Sequence, residues 1–274
     1  MNWLESLIYG LISGISEFLP ISSSGHQLIL LNLFGIDARD PVRDIFVHIA
    51  MLFAVIVSNK SLFELVKREQ SVRHRKRHTM RQNIRALRDW RLVQSAVIPL
   101  LFSMILLCLL TRLSDNLMIT AIFFVVNGLI LFIPNRIVQG NKDARAMTPL
   151  DSLLIGCSGG VAMFSGISRV GCTNCVAVVR GADKKHALSW SLILSVYALA
   201  FICIMDIISI ISVGTPDFWR NLYTYIFSGI AAYWGGRLSI SMIRLLITRP
   251  SNNGFAYYCW GTALFSFILY LTVC

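Results

Sequence analysis

Charge is what this chain has least of. Asp, Glu, Lys and Arg make up only 14% of its 274 residues, against 55% hydrophobic residues and a mean hydropathy of +0.66, a balance that excludes an ordinary water-soluble domain. The N-terminus, Met1-Asn2-Trp3-Leu4-Glu5, lacks the basic region and small-residue cleavage site of a signal peptide, so the first apolar segment is expected in the mature fold. The seven cysteines lack metal-site companions. Cys172-Thr-Asn-Cys175 has ligand-like spacing without a second Cys or His pair nearby, so zinc is not expected and these thiols read as small apolar packing groups. Gly159-Gly160 and Gly235-Gly236 form no nucleotide cradle and read as close helix contacts. The net charge of +11 is not distributed for nucleic acid: the longest basic stretch, 60 to 92, holds 11 Lys and Arg residues between two apolar segments. It reads as a cytoplasmic loop in which His74 and His78 are solvated, close enough to the membrane to meet anionic lipid heads.

What the chain has is long apolar runs. Spanning helices are expected at about 93 to 111, 118 to 135, 188 to 213, 223 to 246 and 255 to 273, with a shorter sixth at 44 to 58. Of the 25 Lys and Arg residues, 19 fall on one side of these spans and 4 on the other. The positive-inside rule then places both termini outside. Asp206 and Arg237 lie near predicted span ends, where water contact or snorkelling is expected.

Two further apolar stretches, 3 to 36 and 150 to 181, are broken by Gly, Ser, Pro and charge, and each predicts a pair of half-length helices. Shifting the first by 146 positions gives nine identities in 22: Leu4, Ser6, Leu7, Gly10, Gly14, Phe18, Ile21, Ser22 and Gly25 fall on Leu150, Ser152, Leu153, Gly156, Gly160, Phe164, Ile167, Ser168 and Gly171. With the loop charges as they are, the first pair enters from the outer face and the second from the inner face. The expected fold is an all-α polytopic membrane protein, one membrane domain over 1–274. It is built as an inverted-topology repeat (about 1–135 and 147–274) with two re-entrant broken helix pairs and about six spanning helices.

Inverted repeats bring their broken helices together near the bilayer midplane around a binding site. The meeting point would hold Glu17, Ser22, Ser23, Ser24 and His26 from one break and Ser168, Arg169 and Thr173 from the other. Helix N-termini, hydroxyls and a planar guanidinium all favour phosphate. A histidine can move a proton, and a carboxylate can hold a divalent cation, orient water or act as a base. The plainer alternative is a buried Glu17–Arg169 ion pair that only braces the two breaks.

Ser-Glu-Phe-Leu-Pro-Ile-Ser-Ser-Ser-Gly-His at 16–26 and Gly-Ile-Ser-Arg-Val-Gly-Cys-Thr at 166–173 resemble the two motif regions of bacterial undecaprenyl-diphosphate phosphatases of the BacA type. His48, in Phe-Val-His-Ile-Ala-Met-Leu, sits where many members have a similar His-Leu-Gly run. The resemblance implies a membrane hydrolase that removes the terminal phosphate of a C55 isoprenoid diphosphate, recycling the carrier lipid of cell-wall synthesis. It also implies that Glu17, Ser23, His26, Ser168, Arg169 and Thr173 are site residues; taken with the meeting point above, Glu17, Ser23, His26 and Arg169 are expected to be catalytic, Ser22, Ser24, Ser168, Arg169 and Thr173 to bind phosphate, and Glu17 to hold Mg²⁺ or Ca²⁺. Expected partners are a polyprenyl phosphate or diphosphate lipid and the membrane, not nucleic acid, with a homodimer as the assembly to test. The chain departs from the family pattern at Ser13, where an acidic or amide residue is usual, and at Ser165 and Val170 in place of proline and serine. A hydroxyl at 13 cannot supply a second negative charge for a cation. The alternative function is therefore a weakened paralogue that binds the same lipid and translocates it.

Overall fold

The structure is a computed structural model that describes residues 1–36, 39–60, 80–108, 110, 116–136, 140, 142, 147–215, 217–247 and 253–273, excluding the side chains of 80–93, 135 and 213. Among these, ten α-helices follow one another: α1 (Trp3–Phe18), α2 (Ser23–Leu33), α3 (Pro41–Ser58), α4 (Met80–Cys108), α5 (Leu117–Phe132), α6 (Pro149–Val161), α7 (Arg169–Val179), α8 (Lys184–Val213), α9 (Phe218–Leu246) and α10 (Asn253–Val273). The basic stretch at 61–79, with His74 and His78, lies outside the described residues.

Both broken pairs are present, and local chemistry makes them alike beyond the nine identities. α1 starts on a capping box in which the Asn2 side chain accepts from the Glu5 N–H at 2.9 Å and the Glu5 carboxylate accepts from the Asn2 N–H at 2.8 Å. α6 starts on another, Thr148 with Asp151, at the same offset. The first break falls at Leu19, which Pro20 disfavours from helical backbone. After each break a serine caps the next helix: Ser22 Oγ accepts from Gly25 N–H at 3.4 Å, and Ser168 Oγ from Gly171 N–H at 3.2 Å. α2 and α7 then end alike on left-handed glycines, Gly35 (φ 65°) and Gly181 (φ 94°). In both, the following N–H reaches back five residues, Ile36 to Leu31 and Ala182 to Ala177.

The halves exchange partners. α1 packs on α9 so closely that a carbon added at Gly10 would lie 2.0 Å from the Ser228 carbonyl oxygen, and one at Gly14 2.2 Å from that of Ala232. α6 packs on α4 in the same way: a carbon at Gly156 would lie 2.2 Å from the Ala96 carbonyl oxygen, and one at Gly160 2.0 Å from Ser103 Oγ. The repeated glycines therefore seat each entering helix on a long helix of the other half.

Polarity is arranged for lipid. Ile98, Ile211, Trp219 and Leu271 are 65–82% exposed, while Ser6, Ser13, Thr120 and Ser195 are fully buried, an apolar perimeter around a partly polar interior. By length and composition α3, Lys184–Ser212 of α8, and α10 can cross a membrane. The other expected spans differ from the sequence reading in detail. Within the residues whose side chains are described, the apolar part of α4 is Gln94–Cys108, and α5 has 16 residues. α9 is long, with 29 residues, but carries Arg220, Arg237 and Arg244. α4 also begins at Met80, inside the stretch expected to be basic loop.

Candidate active site

The two breaks meet. Gly166 N–H donates to Ser22 Oγ at 3.0 Å, and the Ser168 hydroxyl donates to the Leu19 carbonyl at 3.4 Å. Asn127 of α5, fully buried, clips them together: its side-chain N–H₂ donates to the Pro20 carbonyl at 3.1 Å and its oxygen accepts from the Ser168 N–H at 3.0 Å. Ser22 sits at φ 70°, a left-handed conformation held in place by these contacts.

Beside the junction lies a cavity of about 320 Å³. Its walls include Glu17 at the end of α1, Ser22, Ser23, Ser24 and Gln27 at the start of α2, and Ser168 and Arg169 at the start of α7. Two helix N-termini therefore border one space, a setting that favours an anion. Arg169 Nη1 donates to Glu17 Oε1 at 2.9 Å, with both side chains about nine-tenths buried. Arg169 Nε is buried and has no hydrogen-bond partner among the described residues. A buried donor left unpaired costs about 1–3 kcal/mol, which a phosphate oxygen would recover.

Of the residues expected at the site, the structure brings together Glu17, Ser22, Ser23, Ser24, Ser168 and Arg169, and leaves out two. His26 does not line this cavity. On α2 it lies about 100° around the helix from the middle of the Ser23, Ser24 and Gln27 face. Its Nδ1 meets the Ser22 carbonyl at 2.7 Å, its Nε2 the Tyr258 hydroxyl at 2.8 Å, and its ring stacks on Tyr258. Thr173 is fully buried and donates to the Arg169 carbonyl at 2.8 Å, so it supports α7 without lining the cavity.

A family profile described as "Bacitracin resistance protein BacA" matches residues 6–265. The chain belongs to the BacA family. Similar relatives extend over nearly its whole length. "Undecaprenyl-diphosphatase 3" of Bacillus cereus is 30% identical over 99% of both chains. "Undecaprenyl-diphosphatase" of Carboxydothermus hydrogenoformans is 28% identical over 95% of this chain and 94% of its own. That of Methanobrevibacter smithii is 28% identical over 98% of each.

This BacA-family chain also carries cavity residues that its sequence did not single out for the site: Gln27, Arg39, Asp44, His48 and Asp206. The signal was there for two of them, since an ionisable residue within an apolar helix is a functional candidate by default. Asp206, expected to reach water at a span end, instead accepts from His48 Nδ1 at 2.6 Å in the cavity wall. Ser13 is fully buried; its hydroxyl accepts from Gln27 Nε2 at 3.2 Å and its carbonyl from the Ser23 hydroxyl at 3.1 Å. Among the described residues no three His, Cys, Asp or Glu side chains converge as a metal-binding group. Glu17 offers one carboxylate, already shared with Arg169, which fits a cation that arrives with its own phosphate ligands and not one caged by protein alone.

Proposed function

We propose that this protein is an undecaprenyl-diphosphate phosphatase, hydrolysing the terminal phosphate of the C55 diphosphate and returning the monophosphate for reuse in cell-wall synthesis. The observation that carries this reading is the Arg169 guanidinium, with a buried donor to spare, at the N-terminus of α7 over a cavity lined by serine hydroxyls. Arg169 binds the phosphate oxygens, the hydroxyls of Ser22 and Ser24 add donors, and Glu17 fixes the guanidinium plane. Water attacks the terminal phosphorus, the bond from that phosphorus to the bridging oxygen breaks, and the bridging oxygen stays with the lipid. Catalysis of this kind is mostly positioning and charge stabilisation, which the two helix N-termini and Arg169 supply. Purified protein in detergent, given C55 diphosphate with Mg²⁺ or Ca²⁺, is expected to release inorganic phosphate. No release would end the enzyme reading in favour of a lipid carrier.

A Mg²⁺ or Ca²⁺ ion is proposed to accompany the diphosphate, with Glu17 as its protein carboxylate; bound there, it would neutralise phosphate charge. Ser13, one helical turn before Glu17, limits this binding. Ser13→Glu is expected to lower the Mg²⁺ concentration for half-maximal activity about tenfold, equivalent to ~1.4 kcal/mol. An unchanged Mg²⁺ titration would mean that position 13 does not set metal demand.

We also propose the inner membrane as the location, with both termini outside. In that topology the cavity residues Arg39, Pro41, Cys108 and Ser209, which lie near the outer ends of their segments, fall on its outward side. In a cysteine-free background, Asp40→Cys and Asp217→Cys should react with an impermeant reagent added to intact cells, and Asp183→Cys only after permeabilisation. Labelling of position 183 together with 40 would overturn the topology.

A further inference from the structure

We propose that His48, held by Asp206, takes the proton from the attacking water; the inference rests on the phosphatase reading above and names its base. His48 on α3 and Asp206 on α8 come from two helices long and apolar enough to cross a membrane, where ionisable side chains are costly unless they serve a wet cavity. Both line the same cavity as Glu17 and Arg169. The side chains are 12% and 15% exposed, and His48 Nδ1 meets Asp206 Oδ2 at 2.6 Å. A carboxylate can only accept from the ring, so Nδ1 carries the proton and the neutral ring keeps its lone pair on Nε2. Nε2 has no hydrogen-bond partner among the described residues and is not sealed from solvent. That pairing of an orienting carboxylate with an open imidazole nitrogen is the geometry of a general base.

The other candidates are engaged. Glu17 holds Arg169, Asp44 accepts from the Tyr9 hydroxyl at 2.7 Å, and His26 faces Tyr258. The charged groups acting on His48 are Asp206 from α8, Asp44 from α3 itself and Glu17 from α1; Arg39 and Arg169 lie in the same cavity wall.

In the step itself, His48 Nε2 takes a proton from water and the electron pair of that O–H bond becomes the new bond to phosphorus. The bridging bond breaks with its electrons retained on the lipid phosphate oxygen. Inorganic phosphate leaves, and the imidazolium, stabilised by Asp206, returns its proton to solvent.

The test uses full-length protein in detergent with C55 diphosphate and Mg²⁺, following kcat and KM from pH 5 to 9. The wild-type kcat is expected to rise with pH along a limb that His48→Gln abolishes, with kcat lowered at least about 100-fold and KM changed less than about threefold. Asp206→Asn, which removes the carboxylate that holds His48, is expected to displace the limb along the pH axis, a shift that a purely structural role would not produce. Wild-type kcat and an intact limb in His48→Gln would overturn the inference and leave the phosphatase reading standing. No phosphate release by the wild type would overturn both. If His48→Gln no longer bound the lipid diphosphate, Asp206→Asn decides: a displaced limb supports the inference and an unmoved limb overturns it.

Discussion

Phosphate release from C55 diphosphate is expected to fall about a thousandfold when Arg169 is replaced by Gln, the scale on which an arginine stabilises a transferring phosphoryl group. Protein stability should fall with it. The substitution leaves Glu17 about nine-tenths buried without its cation, and breaking a buried pair in this way costs about 3–5 kcal/mol. The two losses are separable. In the double variant Glu17→Gln, Arg169→Gln, no charge is left uncompensated, so thermal denaturation in detergent should return most of the way to wild type. Activity should stay lost, because the guanidinium that meets the phosphate is still missing. A double variant that regained both stability and turnover would show that the pair only braces the helix breaks, and the phosphate site would have to be sought elsewhere.

Gly14→Val and Gly160→Val should each prevent recovery of monodisperse protein from detergent extracts. The contacts at these positions are with the Ala232 carbonyl oxygen at 2.2 Å and Ser103 Oγ at 2.0 Å from an added carbon, so a whole helix must move to admit a side chain. Overpacking a tight contact costs about 1–3 kcal/mol and more where backbone is the obstacle. Gly261→Ala is the control, since nothing lies within 4 Å of a carbon added there. Size-exclusion profiles of the three variants check this. Equivalent damage at 14 and 160 is the stronger part of the expectation, because those positions correspond across the repeat. A Gly14→Val protein that eluted and melted like wild type would contradict the packing of α1 on α9.

The repeat was legible because its residues perform local tasks. Ser22 and Ser168 cap, Gly10 and Gly156 admit a neighbouring backbone, and such tasks demand particular residue types wherever they recur. The Glu17–Arg169 meeting was legible at one remove, since the repeat implies it. What was hidden depends on rotation and distance. The direction His26 faces is set by which side of α2 rests on α5 and α10, through Phe124 and Tyr258, and the motif string carries no trace of this. The His48–Asp206 bond joins residues 158 positions apart. Asp206 looked peripheral because its distance from the end of its helix was visible while the cavity beside it was not. Asn127 escaped notice because a lone amide in an apolar run has no signature until both helix breaks are in place to receive it.

The exchange of partners between halves also puts a clock on assembly. α1 is made first, yet the surface that receives its glycines, on α9, lies more than 200 residues later in the chain. At synthesis rates of about 5–20 residues per second, the first helix waits on the order of ten seconds or more. Through that interval its glycine face has no α9 to close on, and for most of it Glu17 has no Arg169. The second entering helix is spared this delay, since α4 precedes α6. The second entering helix therefore has its seat as soon as it is made, whereas α1, which carries the cavity's carboxylate, must wait for the other half to be nearly complete before its own seat exists.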